Sequence, residues 1–309
     1  MSELRPCALI PTYDNPATVA EVARAARAHL PVIVVDDGSG AAGQAALDAL
    51  PWGEGLWLVR HARNRGKGAA LRAGFAAARR LGFSHAISLD ADGQHLPADL
   101  PAFLGAIARE PGALVLGERD LVRAGAGWGS RSGRRISNAW FRLLSGGQRL
   151  SDTQTGFRAY PLASLAALEL SGERYELEVE VLAKAAWAGV PLRTIPIRVR
   201  YFRGAERISH MGLADFARIS AAWLGLLLAR PGGAVAQPRR LSVSAAAASP
   251  PTLSSPASSS SPATSRSSAR SVAESPGASG RVNLALRTPL SASERPRARP
   301  AAQVAASSR

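Results

Sequence analysis

Short apolar runs, rich in Val, Ile and Leu, alternate with longer stretches of helical periodicity as far as about residue 230. The runs fall at 8–10, 32–35, 56–59, 86–89 and 113–116, each bounded by Gly, Pro, Asp or other polar residues. Their length and their neighbours predict strands. Between them, the apolar spacing predicts helices near 17–29, 67–81 and 98–109. Strands alternating with helices imply an α/β protein: a mostly parallel sheet with helices on both faces. Ligands of such sheets gather beyond the carboxyl ends of the strands. Four of the predicted strands run straight into polar loops: PTYDN, DDGSG, RHARNRGKG and DADGQH. Their convergence predicts a binding site at one edge of the sheet.

The chemistry of these loops sharpens that expectation. Asp90, Asp92 and Gln94 follow the fourth run at alternate positions, so on extended backbone their side chains project from one face. Two carboxylates and an amide oxygen suit a hard divalent cation, Mg²⁺ or Mn²⁺, to which a diphosphate adds further oxygens. The bland reading is an Asp-rich turn with Gly93 at positive φ. Asp36 and Asp37, after VIVV, are placed either to accept hydrogen bonds from a nucleoside or to cap a helix. The stretch Asn64 to Gly68 lacks the spacing of a P-loop. Its glycines fit a close strand-to-helix turn, where Lys67 either meets an anionic donor or stays in solvent. Arg119, Arg131, Arg134 and Arg135 with Ser137, followed by Asp152 to Arg158 (DTQTGFR), form a second constellation; guanidinium forks suit phosphate oxygens. Arg142 and Arg149 read as solvated charges.

Composition then excludes several classes. Cys7 is the single cysteine, so there is no internal disulfide or cysteine metal cluster, and a reducing compartment is consistent. The five histidines have no zinc-ligand spacing, and no GxSxG elbow occurs. The net charge of +15 raises the question of nucleic acid. Beyond residue 232, however, ten arginines against two glutamates carry +8 of it, leaving +7 for the rest. That tail is Ala, Ser, Pro and Arg in low-complexity runs, which predicts a disordered segment 233–309 after a folded domain 1–232. No nucleic-acid-binding module is recognisable and the aromatics do not interleave with a basic stripe, so no nucleic-acid partner is expected. The N-terminus turns before it accumulates a signal peptide's apolar run. The most apolar stretch, 219–229, is far short of the roughly 20 residues of a spanning helix.

In order along the chain, IPTYDN, VVDDGSG, NRGKGAAL, LDADGQH, GERD, DTQTGFRAYP, RYELEVEVL and ISHM resemble glycosyltransferase family 2, and within it the dolichol-phosphate mannosyltransferase-like bacterial group. The resemblance covers about residues 5–220. It implies a GT-A fold, a GDP- or UDP-hexose donor, a Mg²⁺ or Mn²⁺ ion, inversion at the anomeric carbon and often a polyprenyl phosphate acceptor. On this sequence it would assign Pro11, Tyr13, Asp36, Asp37 and Lys67 to the nucleotide and Asp90, Asp92 and Gln94 to the metal. Arg119, Arg134 and Ser137 would face the phosphates, with Asp152 and Arg158 on the acceptor side, supported by Glu178 and Glu180. Asp92 or Asp152 would serve if the acceptor needs a base. It further implies a cytoplasmic enzyme, peripheral at the inner face of the membrane, where 219–229 between Arg218 and Arg230 would lie among headgroups or else pack on the sheet. Three features depart from the pattern: Asp14-Asn15 in place of Asn-Glu, Met211 in place of Phe, and the missing membrane helices of many relatives.

Overall fold

The computed structural model describes residues 3–53, 55–120, 128–200 and 213–229. The expected tail, the side chain of Arg131, and the ISHM segment with Met211 lie outside what is described. Among the described residues, seven strands form one sheet: β1 (Pro6–Thr12), β2 (Val32–Asp36), β3 (Leu56–Arg60), β4 (His85–Ser88), β5 (Leu114–Arg119), β6 (Arg158–Pro161) and β7 (Leu192–Ile197). Their order is β3-β2-β1-β4-β6-β5-β7. All pair in parallel except β6, which is antiparallel to both β4 and β5. The helices are α1 (Val19–Arg27), α2 (Ala41–Asp48), α3 (Lys67–Arg80), α4 (Leu100–Arg109, preceded by a 3₁₀ turn Pro97–Asp99), α5 (Trp128–Leu144), α6 (Leu162–Ala166), α7 (Glu176–Trp187) and α8 (Leu213–Leu228).

Both faces of the sheet are buried, and the two-residue period of a strand explains how. In β1, Cys7 and Leu9 join a core with Phe75 of α3, Phe141 of α5 and Leu182 of α7. Ala8 and Ile10 between them point to a second core with Val22 of α1 and Phe103 of α4. Ile33 and Val35 divide from Val32 and Val34 of β2 in the same way. Continuous apolar strands are what two covered faces require.

The chain winds outward from β1 through β2 to β3, then returns to the other side of β1 with β4. The order therefore reverses between β1 and β4, and a crevice opens there at the strand ends. Two strands were not visible in the apolar pattern. β6 (RAYP) is four residues long with an arginine and a proline, and β7 (LRTIPI) lies at the sheet edge, where proline is tolerated. β5 runs further than its apolar stretch 113–116, so that Arg119 ends the strand, in register with Ile197.

The helix foreseen around 219–229 is α8. It buries Trp223 and Leu226 in the first core, while Leu224 and Leu228 are 52% and 81% exposed. It therefore packs on the protein and still shows an apolar side.

Candidate active site

A cleft of about 440 Å³ opens at the carboxyl edge of the sheet over the β1/β4 crevice. Eight of the residues singled out from sequence line it: Pro11 near the end of β1 and Tyr13 just after it, Asp37 after β2, Lys67 at the start of α3, Asp90, Asp92 and Gln94 after β4, and Arg119 at the end of β5. Glu178 of α7 lines it as well. Loops far apart in sequence meet here because parallel strands all end on the same side.

On the side of β2, the two adjacent aspartates have separate tasks. Asp36 is fully buried; Oδ1 accepts from the Ser39 amide at 2.9 Å and Oδ2 from Arg60 Nε at 2.8 Å. It shapes the loop, as the capping alternative describes, and is not among the residues that line the cleft. Asp37 lines the cleft and ties down the loop after β3: Oδ1 accepts from Arg65 N at 3.0 Å and Oδ2 from Gly66 N at 2.7 Å. His61 Nδ1 lies 2.7 Å from Asp37 Oδ1. Asp14 closes the loop after β1 onto the loop after β2, its Oδ1 accepting from Gly40 N at 2.7 Å.

Gly66, at φ 102°, turns the chain into α3, and a Cβ there would stand 2.5 Å from the Glu173 carbonyl oxygen. This close approach delivers Lys67 to the centre of the cleft. Its Nζ is 2.7 Å from Asp90 Oδ1, 3.2 Å from Glu178 Oε1 and 5.8 Å from the Tyr175 ring centroid. Burial works to lower the Lys67 pKa, but Asp90 and Glu178 prevail and hold the ammonium above its ordinary range. Asp90 shows the converse: burial disfavours its charge, and the Lys67 ammonium overrides this and keeps the carboxyl well below the usual range.

Asp92 differs from its neighbour. Burial first, then the charge of Asp90, push its carboxyl up to about 6, although Oδ1 accepts from Gln94 N at 3.0 Å. Among the described residues no three His, Cys, Asp or Glu side chains are grouped to enclose a metal. The cleft instead offers two mutually repelling carboxylates and the Gln94 amide, an all-oxygen set that fits a hard divalent cation completed by oxygens of a bound diphosphate. His95, placed next to this cluster by sequence, does touch it: Nδ1 accepts from the Asp90 amide at 3.2 Å, and burial pushes the ring down to about 4, leaving it neutral.

The second constellation turns inward. Asp152 is fully buried, receiving Arg119 Nε on Oδ2 at 2.7 Å, and Arg119 Nη2 and the Gln154 amide on Oδ1 at 2.9 and 3.2 Å. Its oxygens are engaged in these contacts, and it is not among the residues that line the cleft. Arg158 is likewise fully buried, donating to the carbonyls of Thr155, Glu178 and Thr153 at 2.7, 2.7 and 2.9 Å. It holds the DTQTGFR turn against α7 and is closed to ligands. Ser137 is buried against Thr153 Oγ1 at 2.9 Å, and Arg134 Nη1 donates to the Arg119 carbonyl at 3.0 Å. Neither lines the cleft. Glu180 caps the 171–172 turn, bound by Ser171, Gly172 and Lys184. Gln154 of the DTQTGFR segment lines the cleft, as do Arg174 and Tyr175, which the sequence did not single out one by one. Tyr175 precedes the first turn of α7, and the RYELEVEVL match was the available signal.

A doubly wound sheet with one reversed strand, carrying an acidic and basic cleft at its switch point, is the GT-A fold of glycosyltransferases. Glucosyl-3-phosphoglycerate synthase from Mycobacterium tuberculosis, solved with Mn²⁺, UDP and phosphoglyceric acid, superposes with a TM-score of 0.56 at 19% identity, over 74% of this chain and 79% of that one. The chain belongs to glycosyl transferase family 2, whose model matches residues 7–165, more than half its length. It is 30% identical over 207 residues to polyprenol monophosphomannose synthase of Mycolicibacterium smegmatis, covering 62% of this chain and 76% of the relative. It is 28% identical over 215 residues to undecaprenyl-phosphate mannosyltransferase of Micrococcus luteus, covering 63% and 83%. The chain is thus a glycosyltransferase. No described helix is long and apolar enough to cross a membrane.

Proposed function

We propose that this glycosyltransferase moves a hexose from a GDP- or UDP-sugar to a polyprenyl phosphate, inverting the anomeric carbon. The observation that carries the reading is the pairing, in one cleft, of Asp90, Asp92 and Gln94 with the cations Lys67 and Arg119. The relatives named for polyprenol and undecaprenyl phosphate support the acceptor class.

In this reading Pro11, Tyr13 and Asp37 hold the nucleoside, and Asp90, Asp92 and Gln94 would hold Mg²⁺ or Mn²⁺. That ion, when bound, neutralises the departing diphosphate. Lys67 and Arg119 add fixed positive charge beside the same oxygens, in a cleft that partly excludes water. A phosphate oxygen of the acceptor attacks the anomeric carbon as its bond to the diphosphate breaks, and the nucleoside diphosphate leaves. A phosphate monoester is already anionic at neutral pH, so positioning matters more than a strong base. The closed environment of Asp152 is in keeping with that. One observation favours a second reading: Asp92, open to the cleft with its carboxyl pushed up to about 6, has the character of a base for a hydroxyl acceptor.

Exposed apolar and basic groups support work at an anionic membrane surface. Ile136 and Leu143 on α5 are 61% and 51% exposed, and Leu224 and Leu228 on α8 are also exposed. Arg135, Arg142 and Arg218 stand beside them on the same helices. We further propose that 1–232 carries the activity; a chain ending at Gly232 is expected to keep both turnover and melting temperature, and loss of folding would move the boundary.

The test of the acceptor uses labelled GDP-mannose, UDP-glucose and UDP-N-acetylglucosamine with undecaprenyl phosphate in detergent, with and without Mn²⁺. One donor should label the lipid only when the ion is present. If every donor fails with the lipid while a soluble hydroxyl acceptor takes label, the second reading replaces the first.

A further inference from the structure

We infer that Lys67 and the divalent cation compete for Asp90, and that Glu178 is the second seat to which the Lys67 ammonium moves when a metal ion enters. The inference deepens the proposed function, since it rests on Asp90 being a metal ligand.

Three observations carry it. Lys67 Nζ is held at 2.7 Å by Asp90 Oδ1, one of the oxygens a cation would take. The side chain is only 16% exposed, so the ammonium has no easy retreat into water. Glu178 Oε1, 3.2 Å from the same nitrogen, is buried and accepts no hydrogen bond. A buried carboxylate oxygen without a hydrogen-bonded partner is costly and calls for a reason. An acceptor already ion-paired with the Lys67 ammonium at 3.2 Å, yet holding no hydrogen bond, supplies one.

The surroundings are shaped for such a shuttle. A Cβ at Gly156 would lie 2.6 Å from Asp90 Oδ2 and 2.8 Å from Lys67 Nζ, so any larger residue there would push the pair apart. Arg158 donates to the Glu178 carbonyl at 2.7 Å, which fixes the backbone that presents the second seat. A metal ion on Asp90 would repel an ammonium left beside it, while the diphosphate arriving with the ion adds a further anion within its reach. Metal alone then binds poorly, and metal with nucleotide binds well. The cleft thereby avoids capturing an ion in the absence of donor.

Mn²⁺ binding to the full chain, read from the electron paramagnetic resonance of the free ion, tests this without any turnover. It is measured alone and with UDP or GDP. Lys67→Met is expected to tighten Mn²⁺ binding in the absence of nucleotide by roughly tenfold, as removal of one nearby like charge implies, and to reduce the gain on adding nucleotide. Lys67→Gln should do the same if charge and not the stem is responsible. Glu178→Gln should weaken binding several-fold in the wild-type background and have no effect once Lys67 is Met, the mark of two residues acting as one unit. Thermal melting confirms that each variant is folded. If Lys67→Met and Lys67→Gln bind Mn²⁺ no more tightly than the wild type, while the wild type binds it with nucleotide, this inference falls and the metal reading stands. If the wild type binds no Mn²⁺ even with both nucleotides, the metal reading falls and takes the inference with it.

Discussion

The segments around Asp90 and Asp152 are alike on paper: each follows an apolar run or a turn, and each sets an aspartate two residues before another polar side chain and near a glycine. In the folded chain their environments are opposite. The Asp90 side chain is 29% exposed and faces the cleft beside Lys67. The Asp152 side chain is 0% exposed and is clasped by both arms of Arg119. The first cluster keeps unresolved electrostatics, visible in the opposite shifts of Asp90 and Asp92. The second has resolved its own, since its donors and acceptors are turned on one another. Unspent charge marks where ligands bind, and spent charge marks what holds the cleft in shape.

The largest effect is expected from breaking the buried member of this comparison. Asp152→Ala leaves the Arg119 guanidinium without its bidentate partner and should cost about 3–5 kcal/mol of stability, the usual result of removing one half of a buried pair. Urea denaturation measures it. A loss below about 1 kcal/mol would mean that Arg119 finds other partners readily and that the cluster is not structural.

Next in size is the open member. Asp92→Asn should lower kcat/KM by about 10²–10³-fold with the melting temperature unchanged or raised. The sign of the second part comes from the raised carboxyl: its charge is disfavoured in the folded state by burial and by Asp90, so a neutral amide removes a destabilising group. Equal activity in the variant would undo the reading of this cluster, and a marked loss of stability would erase the contrast with Asp152.

These two variants also show what could be read before folding. The five strands named from apolar runs all occur, because a strand covered on both faces needs continuous Val, Ile and Leu. The cleft residues Pro11, Asp37, Lys67, Asp90 and Asp92 were legible because each ends or follows a strand or opens a helix, and parallel strands bring such positions together. β6 was not legible, as its four residues, RAYP, include an arginine and a proline and form no run of Val, Ile or Leu. Nor was the inward turn of Asp152 and Arg158. Whether an arginine meets a phosphate or three carbonyls depends on the antiparallel return of β6 between β4 and β5, which no local pattern announces. Arg174 and Tyr175 escaped notice because they belong to a turn laid across Gly66 and Gly68 from far along the chain.

A smaller effect probes the support behind the cleft. Glu180 is disfavoured as an anion by burial, but Lys184 and the amides of Gly172 and Ser171 outweigh this and hold its carboxyl below the ordinary 4.5. A depressed carboxyl adds stability above its unfolded value, and that contribution is lost as the pH falls through the folded value. Glu180→Gln should therefore cost about 1–2 kcal/mol at pH 7 and progressively less once the pH drops below 4.5. A difference from wild type that stays constant from pH 7 to pH 3 would show that shape, not charge, holds the turn.

The smallest effect is expected from Arg149→Ala, and it decides whether burial or mere positive charge distinguishes the arginines. Arg149 is exposed, on the rim of a shallow outer groove with Arg142 and Leu143, away from the cleft. Exposed charges in such positions change stability by no more than about 0.5 kcal/mol, and nothing connects this one to the donor. Arg119 and Arg149 carry the same charge. Only Arg119 lines the cleft while its guanidinium braces a buried carboxylate. Arg119→Ala should thus impair both donor KM and stability, whereas Arg149→Ala should leave both within about twofold or 0.5 kcal/mol. Comparable losses in the two variants would mean that the chain's overall positive field attracts the donor. The contrast between spent and unspent charge would then say nothing about where the donor binds.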